Sequence, residues 1–446
     1  MKLKKDNRDK IIRRSNFSSL CFLLCVVIFL LWIIYPDKAS SGPYLDSAHG
    51  STSYGVNRTS LSSFGYSIAN CTHCHEEHAS IGGSQPVPAD GADKFTLFAN
   101  NFNTTKSANP YVQSDSVCFY CHIVTGTLQS PTFNNYSYSY TFGGCSAGDC
   151  PTSNTFEAFN GLSYHNLYDI WRLITGLYGT KTFTNFPADS NPCSGCHNIH
   201  IAQRSCGKPS VSFDPTKSAI SKPSDHGNLW GDGAGEKMSN YTGGYQAPYN
   251  SATPTYEPDG SAISDPSKLP DYVTFCTDCH NATNTIPSST LGRNLYTFNW
   301  ATGEMHGGYA ATYCSVNVPP PTSLLAPPYD GLTKCGQYVT ACTDCHEPHG
   351  SPNNFLARKW VNNGMVTVTN NGTGNGPDGR ANKEWAWLCG KCHTYLDSGD
   401  AINTHHGATG FGCTTCHPGG NYRNCTDCHF HGNSKINGVD YGKPLF

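Results

Sequence analysis

The sequence has no basic excess, no repeat of constant length and little apolar mass. Its 29 Lys and Arg stand against 32 Asp and Glu, which disfavours nucleic acid as a partner because such binding needs a basic surface. No segment of roughly 20 to 50 residues recurs at a constant period, which argues against a solenoid. Hydrophobic residues make up only 37% of the chain, alongside 45 Gly and 28 Pro, so an ordinary apolar core would be thin.

The first 41 residues have the composition of a targeting segment. Basic residues at positions 2–14 precede the uncharged run Leu20–Ile34, and small residues follow up to Ser41. This order predicts a secretory signal peptide cleaved near Ser41, and therefore an exported protein. The run would span about 22 Å as a helix, less than a hydrocarbon core of about 30 Å. An uncleaved anchor is the alternative, because aromatic residues on both sides extend the run.

The remaining residues, 42–446, form the functional part of the chain. The leader holds eight of the 29 Lys and Arg and three of the 32 Asp and Glu, which leaves 21 basic and 29 acidic residues and a formal charge of −8. No composition change marks a firm boundary in this part. The motif-poor stretch 198–275 is the best place for a soft division.

Eight copies of Cys-x-x-Cys-His lie between residues 71 and 429, and the pattern is the attachment signature of c-type haem. Two thiols form thioethers to the porphyrin and the histidine supplies the proximal iron ligand. Positions i, i+3 and i+4 share one face of a helical turn, so all three groups can meet one macrocycle. Zinc fits poorly, because the second CxxC of a zinc ribbon is missing at the usual distance. We therefore expect eight covalently attached haem c groups.

The motifs and their haems are numbered I to VIII in chain order. The thioether cysteines are Cys71, Cys74, Cys118, Cys121, Cys193, Cys196, Cys276, Cys279, Cys342, Cys345, Cys389, Cys392, Cys413, Cys416, Cys425 and Cys428. The proximal histidines are His75, His122, His197, His280, His346, His393, His417 and His429. Of the other cysteines outside the leader, we expect disulfides Cys145–Cys150 and Cys314–Cys335, which leaves Cys206 as a free thiol or an intermolecular link.

The haems would replace the missing core. The predicted fold is mostly irregular and loop-rich, with short helices and a few short strands wrapped around a chain of eight covalent haems, and unfolded without them. Three elements have clear signals. An apolar stripe that begins at Leu167 and ends before Gly176 and Gly179 predicts a helix, and a second stripe from Trp385 places motif VI on a helix. Asn363-Gly364 predicts a hairpin between strands 359–361 and 365–368.

The sixth iron ligand separates electron transfer from catalysis. Methionine is nearly excluded, because residues 42–446 contain only Met238, Met305 and Met365. Histidine is plentiful, and six of the eleven spare histidines precede a glycine, which lets the backbone approach a porphyrin. His73, inside motif I, should point away, and His405 competes with His406. The candidate distal ligands are His49, His78, His165, His200, His226, His306, His349, His406 and His431.

Some of these candidates carry a geometric restriction. His78, His200 and His349 each follow a proximal histidine by three residues, on a segment bound to one face of its own haem. Each should therefore ligate a different haem and hold two macrocycles close. His49, near the start of the mature chain, has two alternatives: it reaches the haem of a neighbouring molecule, or it folds back onto a haem of its own chain.

Nine candidates for eight irons make complete bis-histidine ligation numerically feasible. An iron with two protein ligands has no open position for substrate and changes only its oxidation state. The sequence therefore favours an electron carrier over an enzyme. The rival is an octahaem oxidoreductase of the hydroxylamine-oxidising or nitrite-reducing type, with one open haem. Some reductases of this kind have lysine in place of the motif histidine, whereas all eight motifs here end in histidine.

Three stretches resemble a known group of cytochromes: Cys74–Ser80 (CHEEHAS), Cys345–Ser351 (CHEPHGS) and Ser47–Gly50 (SAHG). The group is the extracellular multihaem cytochromes of metal-reducing bacteria, some of which polymerise into filaments. The resemblance implies bis-histidine haems stacked in a chain, a place at the outer cell surface and head-to-tail self-association. It also implies other redox cytochromes and an extracellular electron acceptor as partners. A periplasmic or outer-membrane relay that never polymerises is the alternative.

Overall fold

The computed structural model describes only part of the chain, in several separate stretches. These are residues 42–76, 95–130, 154–178, 186–203, 217–223, 227–240, 267, 269–297, 299–300, 306, 326, 341–362, 364–371, 373–377, 379 and 384–392. By internal contacts the chain divides into residues 1–45 and residues 46–446. Among the helices in the described stretches, none is long and apolar enough to cross a membrane.

Short helices and short strands alternate with irregular chain. The α-helices are α1 Gly42–Leu45, α2 Thr59–Ser62, α3 Thr155–Phe159, α4 Leu167–Tyr178, α5 Tyr272–Thr277, α6 Cys342–Cys345 and α7 Ala386–Cys389. The 3-10 helices are Cys71–His73, Gln113–Asp115, Val117–Tyr120, Pro192–Gly195, Ala234–Glu236, Met238–Asn240 and Asn354–Leu356. The strands are β1 Ser163–Tyr164, β2 Pro287–Ser288, β3 Arg293–Asn294, β4 Gly350–Ser351, β5 Trp360–Val361 and β6 Gly364–Met365.

Helix α4 has 12 residues and carries the predicted apolar stripe. Leu167 and Ile174 on this stripe are buried, as the helical period predicts. The helix passes Gly176 and ends at Tyr178, directly before Gly179, the second of the two glycines that follow the stripe. A Cβ on Gly176 would meet only open space, so this glycine costs the helix about 1 kcal/mol relative to alanine and does not end it.

The hairpin predicted at Asn363-Gly364 is present as the antiparallel pair β5–β6. Trp360 lies opposite Met365 and Val361 opposite Gly364, so the glycine belongs to the strand and not to the turn. Asn362 takes the positive φ of +46° that such a tight turn requires. The helix predicted at motif VI is also present, as α7.

Strands β1 and β4 join two distant parts of the chain. Ser163 pairs with Ser351 and Tyr164 pairs with Gly350, in antiparallel register. The hydroxyl of Ser163 donates to the carbonyl of Asn353 at 2.6 Å, which strengthens the junction. The pairing carries the segment that follows β1 alongside the segment that precedes β4.

The buried apolar side chains of the described residues form small clusters, each beside a haem motif. One contacts Cys342 of motif V, one includes Phe119 of motif II, one contacts Gly195 of motif III and one contacts Cys392 of motif VI. Their buried members are Met238, Leu269, Val273, Trp300 and Ala341; Tyr111, Phe119, Phe159 and Leu167; Ile174 and Phe186; and Val361, Val366 and Val368. These clusters are small for the chain length, in line with the composition.

Candidate haem sites

Each motif from I to V closes a helical turn through the same hydrogen bond. The backbone N–H of the motif histidine donates to the carbonyl of the first motif cysteine, with N–O distances of 2.8 to 3.0 Å. Asparagine side chains cap two of these turns: Asn70 accepts from the N–H of Thr72, and Asn191 accepts from the N–H of Cys193. The turn brings both cysteines and the histidine to one face, as covalent haem attachment requires.

Backbone carbonyls orient three of the proximal histidines. A carbonyl can only accept a hydrogen bond, so the proton of each ring lies on Nδ1. Nε2 then keeps its lone pair, which is the form in which imidazole binds a metal. The Nδ1–O distances are 3.0 Å from His75 to Phe95, 2.7 Å from His197 to Ala219 and 2.9 Å from His346 to Phe355.

Four of the proximal histidines lie opposite a second histidine. Their ring centres are 5.9 to 6.2 Å apart. All four opposing residues belong to the set of candidate distal ligands. The pairs are His75 with His200, His122 with His49, His197 with His349, and His280 with His165.

The ring separation fits an iron atom between the two imidazoles. A bond of about 2.0 Å on each side, with about 1.1 Å from each ring nitrogen to its ring centre, gives about 6.2 Å. The cysteines of these motifs form no disulfides with one another and are available for thioether bonds. The residues of motifs I to IV therefore fit c-type haems with two histidine ligands each, which would supply one-electron redox chemistry.

Two Cys-His-x-x-His segments in the described stretches link candidate ligands of different haems. His200 follows proximal His197 by three residues and faces His75 of motif I. His349 follows proximal His346 in the same way and faces His197 of motif III. In both segments the second histidine thus faces the proximal histidine two motifs back along the chain.

The same two segments also accept hydrogen bonds from His49 and His165, the distal candidates of the other two pairs. Nδ1 of His49 donates to the carbonyl of Ile199 at 2.9 Å, and Nδ1 of His165 donates to the carbonyl of Pro348. Segment 197–200 therefore contacts ligands for haems I, II and III, and segment 346–349 contacts ligands for haems III, IV and V.

His49 lies against His122 of its own chain. Of its two alternatives, the structure therefore has the folded-back terminus. His165 lies before α4 and not in it, so the apolar stripe does not exclude it from a haem site. The β1–β4 pairing carries it to segment 346–349.

Cysteine contacts show which motifs are neighbours in space. The thiol of Cys193 donates to Cys118, which joins motifs III and II, and the thiol of Cys276 bonds to Cys342, which joins motifs IV and V. The pKa values of two further cysteines show that motifs I and II, and motifs III and IV, are also neighbours. Burial first, and then nearby Cys74, raise the pKa of Cys121 to about 12.

Motifs III and IV are adjacent in the same way. Burial raises the pKa of Cys196 to about 12, and the nearby thiols of Cys279 and Cys276 add to the rise. Motifs I to V therefore follow one another in space in chain order.

Burial favours the neutral form of four imidazoles at these sites. It lowers the pKa of His49, His165 and His200, and it lowers the pKa of His122 to about 3. Neutral imidazole is the species that binds iron, so the environment favours the ligating form.

His73, within motif I, has a structural role. Its Nδ1 accepts the N–H of Arg58 at 3.0 Å and its Nε2 donates to the carbonyl of Ser67 at 2.9 Å. Both ring nitrogens are engaged, so this buried histidine is not a ligand. The guanidinium of Arg58 forms a buried ion pair with Glu76 at 3.4 Å and lies over the ring of Phe98.

Of the remaining predicted residues, His306 lies within the described stretches and is exposed. Several others lie outside these stretches. The residues without a description are His78, His226, His405, His406, His431, the proximal histidines His393, His417 and His429, all of motifs VII and VIII, and the predicted disulfide cysteines with Cys206.

Gly350, which follows His349, lies where two backbone segments meet. A Cβ there would lie 2.0 Å from the carbonyl oxygen of Ala158 and 3.1 Å from that of Ser163. The missing side chain therefore lets two backbone segments meet, and the approach of this glycine to a porphyrin stays a prediction.

The carbonyl groups that orient the imidazoles, such as those of Ile199 and Phe355, are not predicted by the sequence. Carbonyls are present at every residue and leave no sequence signal. The caps Asn70 and Asn191 could have been found, because asparagine just before a helical turn is a recognised start signal.

Comparison with known proteins finds a family match. The family model described as Doubled CXXCH motif matches residues 337–364, which contain motif V and segment 346–349. No curated protein and no solved structure matches the chain. The match and the motifs indicate a multihaem c-type cytochrome with covalently bound haem c, a class that serves electron transfer and is typically exported.

Proposed function

We propose that this protein is an octahaem c-type cytochrome that carries electrons along closely packed bis-histidine haems outside the cell. The observation that carries the proposal is the set of four histidine pairs with ring centres 5.9 to 6.2 Å apart. An iron held between each pair has both axial positions filled by protein. Such a haem changes oxidation state without binding a substrate.

The order of the motifs supports a path for electrons. Thiol contacts join motifs II and III and motifs IV and V, and electrostatic influences join I with II and III with IV. Haems attached to these cysteines would lie next to one another in a row. Segments 197–200 and 346–349 would cross-link this row, because each contacts ligands of three successive haems.

Optical and magnetic spectra of the purified holoprotein test the proposal. We expect eight covalent haems per chain by mass and iron content, and every ferric haem low-spin. Added nitrite or hydroxylamine should leave the ferric spectrum unchanged and should not be turned over. A ferric high-spin haem that binds either compound with turnover would instead identify an octahaem oxidoreductase.

Head-to-tail assembly into a filament is the second part of the proposal, and it rests on the resemblance described above. Because His49 lies on His122 of its own chain, a ligand shared between molecules would have to be another residue. Electron microscopy of material sheared from cells tests this part. Filaments that contain the protein are expected, and monodisperse particles alone would contradict assembly while leaving the conduit intact.

A further inference from the structure

The planes of the paired imidazoles differ from site to site. They are nearly parallel for haem I, with 7° between His75 and His200, and for haem III, with 12° between His197 and His349. The planes of His165 and His280 at haem IV are 36° apart, and those of His49 and His122 at haem II are 77° apart. The histidines of segments 197–200 and 346–349 thus give nearly parallel pairs, whereas the pair at haem IV is tilted and the pair at haem II is crossed.

We infer that His49 makes haem II electronically distinct from haems I and III, with nearly degenerate iron dπ orbitals and a more stable ferrous state. The inference rests on the proposed bis-histidine ligation. Two parallel imidazoles donate π density into the same iron d orbital and separate it from its partner. Crossed imidazoles each donate into a different orbital, so the two orbitals stay close in energy.

Two measurable properties follow from this orbital pattern. Ferric iron with parallel ligands gives a rhombic low-spin resonance spectrum, whereas crossed ligands give a strongly anisotropic signal with one large g value. The half-filled orbital of ferric iron also gains less from crossed ligands. The ferrous form is therefore relatively favoured, and haem II would accept an electron more readily than an otherwise identical haem with parallel ligands.

The backbone around His49 holds its ring at this angle. Nδ1 is anchored to the carbonyl of Ile199, and the N–H of the preceding residue, Ala48, donates to the carbonyl of Ala202 at 2.7 Å. The carbonyl of His49 accepts the N–H of Val56 at 2.9 Å. Three hydrogen bonds therefore restrain His49: one from its ring, one to its own carbonyl and one from the residue before it.

Gly55 is the positioning residue of this arrangement. A Cβ at this position would lie 2.4 Å from the carbonyl oxygen of His49 and 2.4 Å from that of Ser51. Both are backbone atoms, so a side chain at position 55 must move the His49 loop. Gly235 is the matched control, because a Cβ there meets nothing within 4 Å.

Electron paramagnetic resonance of the oxidised holoprotein and of ligand variants tests the inference. We expect the wild-type spectrum to contain a large-g signal that is absent from His49→Met. His200→Met should remove a rhombic signal and keep the large-g one. Redox titration followed by resonance should show the large-g signal disappearing at a higher potential than the rhombic signals of haems I and III.

A glycine variant tests the ring angle while it leaves both candidate ligands of haem II, His49 and His122, in place. Gly55→Ala should shift the large-g signal towards the rhombic type while all haems stay low-spin, and Gly235→Ala should leave the spectrum unchanged. Loss of a rhombic signal in His49→Met, or an unmoved large-g signal in Gly55→Ala, would overturn the inference and leave the proposed function intact. A His49→Met spectrum identical to wild type would overturn both, because His49 would then bind no iron.

Discussion

Segments 197–200 and 346–349 are two copies of one arrangement, 149 residues apart in the chain. In each, the first residue is a proximal histidine and the last faces the proximal histidine two motifs back. In each, the carbonyl of the third residue accepts the Nδ1–H of a distal candidate for the motif in between. Under the proposed ligation, four consecutive residues would organise three haems, and the second segment would repeat this scheme two haems further along the chain.

The side chains between the two histidines are not conserved between the copies. The third residue is Ile199 in one segment and Pro348 in the other, so the shared element is a carbonyl and not a side chain. The second residue is Asn198 in the first segment and Glu347 in the second. The carboxylate of Glu347 lies 3.7 Å from Nδ1 of His349, which places a negative charge beside the ligand of haem III.

Removal of the last histidine of either segment should have the largest effect on the haems. In His200→Ala haem I would lose its sixth ligand, and in His349→Ala haem III would lose its own. We expect one haem equivalent of ferric high-spin signal in each variant and new binding of carbon monoxide to the ferrous form. Both effects are measured by optical titration.

His73→Gln is the control for these variants. His73 is buried but bonds only to protein groups, and a glutamine amide can both accept and donate in its place. This variant should stay fully low-spin. Equal high-spin content in all three variants would mean that the assigned pairs are not ligands and that the loss reflects general damage.

Gly350→Ala would weaken the second segment only. The added methyl would overlap the carbonyl of Ala158, so the β1–β4 junction must shift and His165 with it. We expect a loss of about 1–3 kcal/mol in the free energy of unfolding, as for other overpacked sites, and a partial change at haem IV. Denaturant titration of the holoprotein measures the loss, with Gly235→Ala as control. An unchanged midpoint would mean that the two backbones do not meet at this glycine.

Covalent attachment and the spare histidines could be read from the sequence, because both depend on side-chain types at short spacings. The motif turns and helix α4 have periods of a few residues, and the hairpin has a two-residue signal. Even there, the sequence did not show at which of Gly176 and Gly179 the helix would end, because glycine ends a helix only where the chain needs a positive φ or a cap.

The pairing of ligands could not be read in the same way. His49 and His122 are 73 residues apart, and His165 and His280 are 115 apart, so these pairs form only when the fold brings distant segments together. Backbone hydrogen bonds, such as those to the carbonyls of Ile199 and Pro348, and the β1–β4 register bring them together. Such bonds are common to all residue types, so the sequence alone could not place His165 opposite the proximal His280.

Glu347→Asn has the smallest expected effect and makes the second segment match the first. A carboxylate near Nδ1 increases electron donation by the imidazole and favours ferric iron, so its removal should favour ferrous haem III. The shift should be about 1 kcal/mol or less, because the pair is 3.7 Å apart and partly exposed to solvent. Redox titration of the rhombic signals of haems I and III measures it. We expect haem III to become easier to reduce while haem I stays constant, and the reciprocal Asn198→Glu should make haem I harder to reduce. If neither haem responds, the residue between the histidines does not tune the haem two motifs back, and the two segments share ligation alone.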